Sequence, residues 1–144
     1  MKRKAIKVLF LCTANSCRSQ MAEGLARQQG GGLIEPYSAG AHPTSLHPLA
    51  VEVMREVGID ISRHYSKGLD DVPQDVDLVV TVCDQAAEAC PIFPGAARTM
   101  HWSVPDPVQA RGTPDEIRAA FRRARDEIEA RVRTLLEDPA AERR

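Results

Sequence analysis

Six residues, Asp77-Leu78-Val79-Val80-Thr81-Val82, form a run that is apolar almost without a break. The run is short for a buried helix and lacks the alternation of a strand with one wet face, so protein must cover it on both sides. A central strand of a parallel sheet meets that condition, and parallel neighbours need crossover connections, usually helices. The remaining pattern supplies both. Residues 5–11 read as a first strand, followed by a turn-rich octet and a helix over 19–29 that Gly30-Gly31-Gly32 stops. Residues 33–38 read as a second strand, placed at a sheet edge by Pro36, which cannot donate to a ladder. Pro48 opens a helix whose Leu49, Val53 and Val57 repeat at four-residue spacing until Gly58. A strand over 98–102 leads into the turn Val104-Pro105-Asp106-Pro107. Thr113-Pro114-Asp115-Glu116 is a capping box, and Ile117, Phe121, Ala124, Ile128, Val132 and Leu135 stripe the helix after it.

The expected architecture is α/β, with residues 1–144 as a single domain. Its sheet is four-stranded and parallel, in the flavodoxin-like order 2-1-3-4, with helices on both faces. Ligands of such sheets bind beyond the carboxyl ends of the strands, at the switch point between strands 1 and 3. Cys12, Cys83 and Asp106 each follow a different strand at that end.

Composition narrows the partners. The formal net charge is -1, from 19 basic and 20 acidic side chains, so no overall field draws the chain to nucleic acid or an anionic membrane. No stretch approaches the roughly 20 apolar residues of a membrane span. Lys2-Arg3-Lys4 before Val8-Leu9-Phe10-Leu11-Cys12 imitates an export signal, but Lys7 interrupts it and polar Asn15, Ser16 and Arg18 follow. A cytoplasmic location is expected, where four cysteines serve catalysis or metal binding more often than structural disulfides. Four residues separate Cys12 from Cys17 and six separate Cys83 from Cys90, neither being the tight spacing of a zinc knuckle, so no metal and no cofactor is expected. A monomer is expected, although no residue specifies the oligomeric state.

Cys12-Thr13-Ala14-Asn15-Ser16-Cys17-Arg18-Ser19 is Cys-x5-Arg-Ser between a strand and a helix. Backbone N–H groups of a loop entering a helix converge on an anion, the helix dipole favours negative charge, and arginine offers a fork for two oxyanion oxygens. Thr13, Ala14, Asn15, Ser16, Cys17, Arg18 and Ser19 are therefore the expected oxyanion-binding residues. A thiol at that focus is favoured in its anionic, nucleophilic form, and the Ser19 hydroxyl can bond the sulfur. Cys-x5-Arg alone arises by chance, with Cys12 merely ending a strand and Arg18 solvated. Its place after an apolar strand, with serine following, favours the anion site.

The segment Cys-Thr-Ala-Asn-Ser-Cys-Arg-Ser-Gln-Met-Ala-Glu, together with Ser38-Ala39-Gly40, the third strand and Asp106-Pro107, resembles the low-molecular-weight protein tyrosine phosphatases and the arsenate reductases built on their fold. The resemblance covers nearly the whole chain and implies that Asp106, before proline in a late loop, is the general acid. Phosphate and arsenate share charge and tetrahedral shape, so the loop does not choose between them. The arsenate reductases that draw electrons from thioredoxin carry Val-Thr-x-Cys and, six or so residues later, Cys-Pro. This chain has Val80-Thr81-Val82-Cys83 and Cys90-Pro91.

The implied activity is reduction of arsenate to arsenite by a Cys12, Cys83, Cys90 relay, with thioredoxin as reductant and phosphate or sulfate as alternative loop anions. Residues 84–89 must then change shape, because a helix would hold residues seven apart at about 10 Å, too far for a disulfide. Partial unfolding on oxidation is expected. Cys17 is read as structural or incidental, and His101 and Trp102 receive no role in the chemistry. Some reductases of this group bind potassium through residues matching Asn15, Glu23 and Ser38 and a later carboxylate. Lys67 stands at that last place, so an ammonium pairing with Glu23 is expected there instead. The competing readings are a phosphotyrosine phosphatase, for which three Phe, two Tyr and one Trp make a poor aromatic mouth, and a redox or oxyanion sensor, which has no use for a general acid.

Overall fold

The computed structural model describes residues 5–84, 88–96 and 98–137. Strands β1 (Ile6–Cys12), β2 (Ile34–Gly40), β3 (Leu78–Cys83) and β4 (Arg98–Ser103) are all parallel and pair in the order β2-β1-β3-β4. This is the expected 2-1-3-4 sheet. Among the described residues three α-helices, α1 (Arg18–Gly30), α2 (Pro48–Arg55) and α3 (Pro114–Glu137), accompany it, with short 3-10 turns at Leu69–Asp71 and Pro107–Gln109. No helix among the described residues is long and apolar enough to cross a membrane.

Strand alternation splits the core into two layers. Ile6, Val8 and Phe10 of β1 and Leu78, Val80 and Val82 of β3 join Met21, Val53, Phe121 and Ile128 from the three helices. Leu9, Leu11 and Val79 face the other way, onto Val72, Val76 and Phe93. The helices are distributed unevenly between the two faces. All three α-helices cover one layer, and on the other the 3-10 turn at Leu69–Asp71 is the only regular helix among the described residues. Burying each such Leu or Phe contributes roughly 1.5–3 kcal/mol, which makes the central strands the rigid base of whatever their carboxyl ends carry.

Local signals behave as their chemistry requires. Pro36 sits in β2 at the sheet edge, opposite Val8. The Thr113 hydroxyl accepts from the Glu116 N–H and the Glu116 carboxylate accepts from the Thr113 N–H, closing the capping box of α3. The second helix departs from expectation by ending at Arg55 rather than near Gly58. The Ile59 N–H reaches back to Met54 O and the Gly58 N–H to Arg55 O, with Gly58 at φ 80°, the pattern of a glycine C-terminal cap. Val57, expected on the buried stripe, lies in this turn and is 38% exposed. Ala50, Val53 and Met54 carry the buried face instead.

Candidate active site

The loop between β1 and α1 is shaped from outside. The Ala41, His42, Thr44 and His47 N–H groups donate to the carbonyls of Cys12, Thr13, Ala14 and Ser16. The Gln20 amide donates to Asn15 O, Ser66 Oγ to Ala14 O, and the Met21 N–H to Cys17 O. With every carbonyl from residue 12 to 17 drawn away, the peptide planes turn their N–H edges toward the inside, and Asn15 N–H donates to Cys12 Sγ at 3.2 Å. Asn15 itself has φ 51°, a left-handed conformation that asparagine tolerates. Its side chain is locked, donating to Ser19 Oγ at 2.8 Å and accepting from the Gln20 amide and the Lys67 N–H. Ser19 Oγ lies 2.9 Å from Cys12 Sγ, as the sequence suggested. Gly40 closes the outer wall, where a Cβ would stand 2.7 Å from Asn15 N and 2.8 Å from Thr13 O.

Arg18, the first residue of α1, is 3% exposed, and its guanidinium sits beside the loop. Its Nη1 donates to Val104 O at 3.0 Å and its Nη2 lies 3.6 Å from Asp106 Oδ2. Asp106 caps the Pro107–Gln109 turn through Val108 N–H and remains partly exposed. The residue that sequence reasoning missed is Glu88. Its two carboxylate oxygens take the Arg18 fork at 2.8 Å each, Thr13 Oγ1 donates to it at 2.6 Å, and the Asp84 N–H at 3.2 Å. Burial works against both charges. The pairing outweighs it, holding the Glu88 carboxyl below its ordinary range and the Arg18 guanidinium above its own. The one sequence signal was an acid flanked by alanines in the spacer between two cysteines. A cleft of about 500 Å³ opens over Thr13, Asp84, Glu88, Pro105, Asp106 and Gln109.

Register brings the strand ends together: Leu11 pairs with Thr81, so Cys12 ends β1 beside the point where Cys83 ends β3. Cys83 is bonded to Cys90, with Cα atoms 6.0 Å apart. Residues 88–93 are not helical, in keeping with the geometry that such a bond demands, while residues 85–87 of the expected conformational change lie outside the described residues. Both sulfurs and a ring nitrogen of His101 lie within 4.8 Å of one another, the one cluster among the described residues with the makings of a metal site. In this oxidised form its sulfurs offer no thiolate ligand.

Cys17 is buried and its thiol is pushed up by burial, with the charges of Cys12 and Asp106 adding to the effect. It therefore stays protonated and packs in the core. Lys67 Nζ stands 3.8 Å from Glu23 Oε1, 3.5 Å from Ser38 Oγ and 3.1 Å from Tyr65 O. Ser38 Oγ donates to Glu23 at 2.6 Å. The ammonium thus stands against Glu23 and Ser38, two of the oxygen donors that the resemblance assigns to potassium, while Asn15 Oδ1 accepts from the Lys67 N–H, and the residues present do not fit that ion.

Residues 7–144 match the family model for low molecular weight phosphotyrosine protein phosphatase. An arsenate reductase of Halalkalibacterium halodurans is 47% identical over 138 residues, covering 95% of this chain and 98% of that protein. An arsenate reductase of Bacillus subtilis is 49% identical over 131 residues, 90% of this chain and 94% of its own length. The solved thioredoxin-dependent arsenate reductase of Corynebacterium glutamicum superposes with a TM-score of 0.70 at 30% identity, over 95% of this chain and 63% of that one.

Proposed function

This chain belongs to the low molecular weight phosphotyrosine protein phosphatase family, and we propose that it uses the anion loop of that fold to reduce arsenate to arsenite. The observation that carries the reading is the Cys83–Cys90 disulfide at the carboxyl end of β3. Phosphoryl transfer has no use for a second and third thiol. Reduction of As(V) to As(III) needs two electrons, which a pair of thiols supplies by ending as a disulfide.

In the proposed sequence the Cys12 sulfur attacks arsenic and an arsenic–oxygen bond breaks. Asp106 protonates the departing oxygen, which leaves as water, while Arg18, the Ser19 hydroxyl and the amides of Thr13, Ala14, Asn15, Ser16 and Cys17 steady the adduct and the sulfur. The Cys83 thiolate then attacks Cys12 Sγ. The sulfur–arsenic bond breaks with its electron pair left on arsenic, giving arsenite and a Cys12–Cys83 disulfide. Attack of Cys90 on Cys83 frees Cys12 and leaves the disulfide seen here. Two thiols have then given two electrons, and a dithiol protein of the thioredoxin kind restores them by exchange. The likeness to a thioredoxin-dependent reductase supports that partner.

The test is arsenate-dependent consumption of NADPH in the presence of thioredoxin and its reductase. Rapid hydrolysis of an aryl phosphate without arsenate-dependent turnover would assign the chain to phosphatase chemistry instead.

A further inference from the structure

We propose that Glu88 is a stand-in oxyanion, a positioning residue that occupies the Arg18 fork while Cys83 and Cys90 are bonded, displacing anions from the loop until the pair is reduced. The inference rests on the arsenate reductase reading and adds a step to it.

The geometry is that of an anion already bound. Both Glu88 oxygens accept from Arg18 at 2.8 Å, the parallel two-bond contact that a tetrahedral oxyanion would make with the same guanidinium. Thr13, a member of the loop itself, donates to the same carboxylate. An oxyanion and Glu88 therefore compete for one set of donors. Arg18 is almost wholly buried, and a buried guanidinium is strongly disfavoured when its fork is left without an acceptor. Arsenite leaves as a neutral acid, so at the end of the relay the Arg18 fork loses the anion it held, and Asp106, 3.6 Å from one nitrogen, does not fill it. Glu88 supplies its replacement.

The disulfide sets when this happens. Glu88 is two residues from Cys90, and the bond to Cys83 ties Cys90 to the end of β3. The bond thus raises the effective concentration of the carboxylate at Arg18, as any short covalent tether does. Phosphate, which has arsenate's shape, is then met by an intramolecular competitor in the oxidised protein and by a more weakly held one after reduction.

Inorganic phosphate is the probe, titrated by phosphorus NMR at fixed ionic strength into the full chain, once with the Cys83–Cys90 bond verified by peptide mapping and once after reduction. The oxidised wild type is expected to bind phosphate at least tenfold more weakly than the reduced protein. Glu88→Gln, neutral and of the same shape, and Glu88→Ala are each expected to close that gap to within about threefold by strengthening the oxidised form, with the reduced form little changed. A merely structural Glu88 would weaken both forms alike. Equal affinities of the two wild-type forms, or a gap that survives in both variants, would overturn the proposal. NADPH consumption by the wild type is followed separately: its absence would remove the reductase reading while leaving the phosphate comparison intact.

Discussion

Gly40→Ala tests whether the loop is held by the outer wall described above. The added Cβ would lie 2.7 Å from Asn15 N, 2.8 Å from Thr13 O and 2.9 Å from Ala14 C. The nearest of these is about 0.7 Å short of ordinary van der Waals separation, and all three neighbours are backbone, so no side chain can rotate out of the way. Gly40 is not in a left-handed conformation, and the penalty is therefore contact alone, on the order of 1–3 kcal/mol if β2 and the loop yield together. The loop has less slack than the strand: its carbonyls are bonded to Ala41, His42 and Thr44, directly beyond the substituted residue. A displacement of roughly half an ångström at Cys12 and the amides around it should lower turnover by about 10-fold, given about 100-fold for a full ångström. Single-turnover arsenate reduction and hydrolysis of an activated aryl phosphate should fall together, since both begin at Cys12, while melting shifts by only several degrees. Activity within threefold of the wild type in a folded Gly40→Ala protein would refute the claim that this contact shapes the loop.

Cys83→Ser should abolish reductive turnover yet leave aryl phosphate hydrolysis within about threefold, because hydrolysis needs only Cys12, Arg18 and Asp106; loss of both activities would contradict the relay. Cys90→Ser should complete one turnover and stall as a Cys12–Cys83 disulfide, visible by peptide mass mapping, and normal cycling would remove Cys90 from the scheme. Arg18→Lys should weaken phosphate binding to the reduced protein by about 10- to 100-fold, the value of one charged hydrogen bond and its bidentate geometry; unchanged affinity would contradict the loop model. Away from the site, Glu56 receives hydrogen bonds from Arg122 and then Arg125, which lower its carboxyl to about 2 from 4.5. A depressed carboxyl stabilises the fold above its ordinary range and loses that contribution as pH falls, so Glu56→Gln should destabilise the protein at neutral pH by on the order of 1 kcal/mol, with the difference shrinking between pH 4.5 and 2. A difference independent of pH would assign the effect to packing.

The fold was legible because its signals are local. A nearly apolar run over 78–82 demands cover on both faces, a proline marks an edge, and a capping box starts α3 whatever surrounds it. The pairing of Lys67 with Glu23 was legible for another reason: a resemblance supplied the spatial neighbours that spacing alone does not give. Glu88 was hidden because its partner, Arg18, is 70 residues away in sequence, and because the segment that carries it ends at Cys90, whose bond to Cys83 the spacing does not reveal. Val57 was misplaced since four-residue periodicity continues on paper through a glycine cap that ends the helix in space. The anion loop shows the boundary most clearly. Cys12, Arg18 and Ser19 are chemically conspicuous, but the donors that turn the loop's carbonyls outward include the main-chain N–H groups of Ala41, His42, Thr44 and His47. Almost any residue could provide those N–H groups, so the side chains at these positions carry no mark of the task. What specifies them is the path of the chain after β2, set by the close approach of Gly40 and the parallel register of β2 with β1. The proposed nucleophile is thus written in three side chains, and the shape of the loop around it is written in the packing of the sheet.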